Sequence, residues 1–164
     1  MQSWAETLIA AQVDGTALTA AAAATALPAA AKYTLPPNFF QVIGQQLIVE
    51  ASGRISSVIT TPGTARYDVR FGATVIFDGL AALLETAAGY TNVGWMLHIL
   101  LTCRAIGTSA NLMGQGMFTA VNLLGVPATA PKPAITAMLP WNSAPAVGNN
   151  FNSTVSQVVD LFFT

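Results

Sequence analysis

The chain has 164 residues, 53% of them hydrophobic and only 13 charged, with a net charge of −1, whereas a soluble domain is ordinarily about 25% charged. Its basic residues, Lys32, Arg54, Arg66, Arg70, Arg104 and Lys132, are scattered, which excludes a nucleic-acid surface built on clustered phosphate contacts. The single cysteine, Cys103, excludes an internal disulfide and suits a buried thiol in an apolar run.

In chain order, residues 1–14 read as an N-terminal arm and 15–164 as one β-sandwich domain. No secretory signal is expected, because the first Lys or Arg is Lys32. The uncharged stretch 15–31 is mostly Ala and Thr and is broken by Pro28. It is too short and too weakly apolar for a bilayer span, which needs about 20 residues. Residues 20–31 read as a strand among strands, with a helix as the alternative because Ala favours it intrinsically.

Residues 46–49 continuing through 54–60 read as strand, closed by the turn 61–64. From Arg66 to Phe71 the alternation is complete: Tyr67, Val69 and Phe71 face one way, and Arg66, Asp68 and Arg70 the other. Gly72 reads as a bulge, after which Ala73, Val75 and Phe77 resume the pattern. Asp78-Gly79 and Ala88-Gly89 are turn signals. Residues 80–86 fit either a short helix or a strand.

The second strong strand is 93–105, with Val93, Trp95, Leu97, Ile99, Leu101, Cys103 and Ala105 on one face. Met96 and Leu100 on the other face imply that it is partly covered too. Residues 110–121 and 155–163 complete the strands, with a turn at 144–150. Between them, 126–145 holds Pro127, Pro131, Pro133, Pro140 and Pro145 and reads as a long loop, since proline donates nothing to a ladder. The fold class expected is all-β: an antiparallel sandwich with an N-terminal arm and a long Pro-rich loop.

Catalytic equipment is scarce. His98 is the only histidine and stands at an odd separation from Cys103, so the two point to opposite faces of their strand and cannot share a metal. No G-x-S-x-G elbow occurs. Charge pairing with a neighbouring strand is the plain reading of Asp68. Gly114-Gln115-Gly116 lacks the third glycine of a phosphate loop and reads as strand glycines or a bulge. Asn152-Ser153-Thr154 matches a glycosylation acceptor only in form. No enzyme, cofactor or metal is expected. Trp4, Trp141 and Phe163 are the candidate interface anchors, two aromatics in arm and loop and one at the end of an apolar strand.

Several phrases form a recognisable set: Leu35-Pro36-Pro37-Asn38-Phe39-Phe40, Ala51-Ser52-Gly53-Arg54-Ile55-Ser56, Thr61-Pro62-Gly63-Thr64 and Asp68-Val69-Arg70-Phe71-Gly72. Leu101-Thr102-Cys103-Arg104, Leu112-Met113-Gly114-Gln115-Gly116 and Asn142-Ser143-Ala144-Pro145 follow. This set resembles a group of tailed-bacteriophage virion proteins with a jelly-roll-like β-sandwich, over roughly residues 16–163. The resemblance implies a capsid decoration, or cement, protein on the outer surface of the virion head. Its partners would be further copies of itself in a homotrimer and the major capsid protein, with no nucleic acid and no membrane. A tail, baseplate or fibre module and a carbohydrate-binding jelly-roll are the alternatives. In that group a further strand follows the Asp-Leu-Phe segment, so the strand 155–163 is expected at a subunit interface or beside a strand from elsewhere.

Overall fold

Period-two alternation drives the longest elements. The computed structural model describes residues 5–19, 22–58, 63–85, 89–124 and 134–164. In it, β1 (Ala24–Thr25) and a 3-10 turn (Ala29–Ala31) precede β2 (Tyr33–Leu35) and β3 (Gln46–Ser57). β4 (Thr64–Ala65), β5 (Tyr67–Phe71), β6 (Thr74–Asp78) and β7 (Ala82–Leu83) follow. The chain then runs through β8 (Tyr90–Ala105), β9 (Asn111–Leu124), β10 (Ala134–Leu139), β11 (Ala146–Val147) and β12 (Gln157–Phe163).

One sheet has the order β1-β12-β5-β6, with β2 sharing the β1 side of β12. The second has the order β10-β9-β8-β3, with β11 also on β9, and β4 pairs with β7. All of these pairings are antiparallel. The chain is an all-β antiparallel sandwich.

The core lies between the two large sheets. Val69 and Phe71 of β5, Ile76 and Phe77 of β6 and Leu161 of β12 are buried in the first. Leu97, Ile99, Leu101 and Cys103 of β8 meet them with Leu112 and Phe118 of β9. Each such side chain contributes about 1.5–3 kcal/mol on full burial. The register fixes which face is inside: Leu97 stands between Ala51 and Phe118, and Ile99 between Val49 and Gly116. A one-residue slip would turn the whole set outward.

Gly114 and Gly116 are strand glycines. A Cβ on Gly114 would run into the Phe77 ring of the opposite sheet, and one on Gly116 would lie 2.8 Å from the His98 carbonyl oxygen. Gly114 thus makes the room that Phe77 fills. Gly114→Val is expected to cost about 3 kcal/mol, near the top of the range for overpacking. A urea titration reads it as a lowered midpoint, and a midpoint unchanged from the parent would refute the fit.

Several expectations need correction. Gly72 is not a bulge. It sits at φ +58° in the two-residue turn between Phe71 and Thr74, where glycine adopts the left-handed region without strain. Within 20–31 the described residues carry only the two-residue β1 and a 3-10 turn; Ala20 and Ala21 lie outside the described residues. Pro28 stands at the N-cap of that turn and cuts the run short. Within 80–86, Ala82–Leu83 form the two-residue β7 and Leu84 makes an isolated bridge to Leu124, so the strand alternative holds over part of the stretch; Thr86 lies outside the described residues.

The Pro-rich segment is loop over less of its length than expected. Residues 134–139 are β10, because that stretch contains no proline and pairs at the edge of its sheet. Residues 125–133 lie outside the described residues. Finally, β12 has neighbours from its own chain on both sides, β5 on one and β1 and β2 on the other.

Candidate functional site

The charges gather on one sheet and leave the other nearly neutral. Around β5 and β12 stand three ion pairs: Lys32–Asp160, Arg66–Asp78 and Arg70–Asp68. The Arg66 guanidinium grips Asp78 through two bonds, of 2.8 and 2.5 Å, and that hydrogen-bonded carboxylate holds its pKa above the ordinary arginine value. Asp160 also accepts a 2.6 Å bond from Thr25 Oγ1. Asp68 differs from its expected reading in two ways. Its partner is Arg70 on the same strand, at 2.7 Å, and the carboxylate is buried. The Arg70 guanidinium closes over it while resting on the Phe162 ring, 3.8 Å from its centroid.

A shallow cleft of about 390 Å³ opens beside Arg66, Asp78, Gly148 and Asn149. Its two charged groups neutralise each other, so it offers no free acid or base. Among the described residues, no three of His, Cys, Asp and Glu come close enough to hold a metal ion. Cys103 is fully buried, and burial pushes its thiol pKa up, away from reactive thiolate. His98 lies on the opposite face and pairs with Glu50 across the β3–β8 ladder at 3.0 Å. Ser153 is buried and bridges to the Gly107 backbone, while Asn152 Oδ1 accepts bonds from the Thr154 amide and hydroxyl. These groups shape loops and assemble no reaction centre. No helix among the described residues is long and apolar enough to cross a membrane.

The outer face of the β10-β9-β8-β3 sheet is the distinctive surface. Its rows follow from the register. Glu50, His98, Met117 and Met138 form one row. Ser52, Met96, Thr119 and Thr136 form the next, with the two threonine hydroxyls 3.2 Å apart. Ile48, Leu100 and Gln115 lie on the other side, and Met113 stands beside Val147 beyond them. Ile48, Met96, Met117, Val121 and Met138 each keep 43–67% of their surface in water.

Four of the chain's five methionines therefore lie on one solvent-facing sheet surface. The expectation that this second face of β8 is partly covered is corrected at Met96, which stands open. Strand spacing and rise give the face an area on the order of 700 Å². One partner in a standard interface contributes about 800 Å². Its charges are few: the Glu50–His98 pair near the middle, with Arg54 and Arg104 toward opposite ends of the strands.

Two of the three candidate anchors fall elsewhere. Trp141 is half-buried against the chain's own core, its amide bonded to the Gly79 carbonyl at 2.7 Å. Phe163 packs against the same core, with its ring 5.1 Å from that of Tyr67. Trp4 lies outside the described residues. The methionine face was missed because its signal is spread over three strands: Met96, Met117 and Met138 each occupy the position where a half-buried strand ordinarily carries a polar residue. Comparison of the chain with protein-family models, curated proteins and solved structures finds no match.

Proposed function

We propose that the protein is a structural component of a tailed-phage virion, a capsid decoration protein that binds the outside of the head as a homotrimer and bridges major capsid proteins. The observation that carries the reading is the wide, nearly neutral, methionine-rich outer face of the β10-β9-β8-β3 sheet. A sheet face on which exposed apolar side chains cluster among few charges is the kind of surface that serves protein association. Methionine side chains adapt to irregular partner surfaces. The action is mechanical: added interface area resists expansion of the shell.

The carbohydrate-binding alternative requires aromatic rings open to solvent. Among the described residues no Trp, Tyr or Phe ring stands fully exposed, which favours the assembly reading. The purified chain is expected to bind phage heads that lack it and to raise their resistance to heat. Failure to bind and failure to protect would together reject the proposal.

A further inference from the structure

Two unpaired elements of the chain are complementary. The first is the edge of β3. This 12-residue strand ends its sheet and pairs only with β8 among the described residues. A long open edge is a template for another strand, and native proteins ordinarily cover it. The second is the N-terminal arm. Among the described residues, no backbone or side-chain hydrogen bond ties residues 5–19 to the domain. The arm's root is fixed at Gly15, where a Cβ would meet the Ala26 carbonyl oxygen at 2.6 Å. Beyond it, among the described residues, only Leu8 packs against the core, while Ile9 and Val13 stand exposed.

We infer that residues 5–14 of one copy add as an antiparallel strand to the β3 edge of a second copy. Charge and pattern select this occupant. Glu6 and Asp14 are the arm's only charges, both negative. Arg54 on the β3 edge is exposed and has no salt bridge among the described residues, since Glu50 is engaged by His98. An antiparallel register that sets Glu6 opposite Arg54 sets the small Ala10 opposite Glu50 and Asp14 opposite Gln46. The same register carries Ile9 and Val13 to the core side, beside Ala51 and Leu47. Ile9 and Val13 are then covered, the acids stay on the solvent side, Leu8 exchanges its contact with its own core for the outer face beside Ser52, and the open ladder groups of β3 gain partners. Each copy donates one arm and receives one, a head-to-tail contact that closes into a ring and accords with the trimer proposed above.

The test needs no phage heads, so its failure is distinct from failure of the decoration reading. Sedimentation equilibrium of the full chain across a dilution series is expected to give a closed oligomer. A variant lacking residues 1–14 is expected to sediment as a monomer with the far-UV circular dichroism of the parent. Arg54→Glu is expected to weaken assembly roughly tenfold, and adding Glu6→Arg to restore most of it. That charge swap remains decisive if the truncated chain fails to fold. A monomeric full chain, an unchanged mass on truncation, or absence of rescue by the swapped pair overturns the inference.

Discussion

Arg70→Met is expected to lower the stability of the fold by about 3–5 kcal/mol, the range for stripping one partner from a buried ion pair. The Asp68 carboxylate is almost completely buried, and its Oδ2 receives both the Nε and Nη2 bonds of Arg70, at 3.0 and 2.7 Å. Its Oδ1 has no hydrogen-bond partner among the described residues. Removing Arg70 therefore leaves a desolvated carboxylate with no hydrogen-bond partner among the described residues, its charge offset only in part by the more distant Arg66. The cost is a large part of the 5–15 kcal/mol that holds a typical domain together.

The paired change Asp68→Leu with Arg70→Met distinguishes this cause from lost packing. It removes both charges and keeps apolar volume over Phe162, so most of the stability should return, as it does when a buried pair is replaced by hydrophobic residues. Urea midpoints of the two variants read the difference. A single variant within about 1 kcal/mol of the parent, or a double variant worse than the single, would contradict the account.

Asp68 also shows where sequence reading stops. The alternation from Arg66 to Phe71 correctly places Tyr67, Val69 and Phe71 in the core, because period two on a pleated strand leaves no other choice of face. It says nothing of what lies over the other face. The burial of Asp68 comes from Arg70 folding back along its own strand onto Phe162, a residue almost a hundred positions away. The β8 alternation was legible for the same reason, as was the separation of His98 from Cys103. The role of Gly114 was half legible: its lack of a side chain suits a strand, but the need for that lack is set by Phe77 in the opposite sheet.

Short elements were the least legible. β1, β4, β7 and β11 are two residues each, held by pairing with distant partners rather than by local preference. β10 hid in a proline-rich stretch because its six residues form strand only at the edge beside β9. The neutrality of the surface was legible in kind, since no residue between 105 and 131 or between 133 and 159 is charged. Its location was not, because three methionines widely spaced along the chain become neighbours only once β8, β9 and β10 are in register.

That register gives the second large effect. Met96→Glu with Met117→Glu is expected to weaken binding to phage heads by at least about 100-fold, the scale of central residues in an interface compounded by burying two unpaired charges. The same variant should unfold within about 0.5 kcal/mol of the parent, because both side chains are exposed in the free chain and their inward neighbours are untouched. Val155→Glu, at an exposed apolar position ahead of β12, serves as the control and should bind normally. Binding should also vary little with salt, since among the described residues the face carries only Arg54, Arg104 and the Glu50–His98 pair. A strong salt dependence would move the contact to the charged sheet around β5 and β12. Unimpaired binding by the double glutamate variant would remove the methionine face from the docking surface altogether.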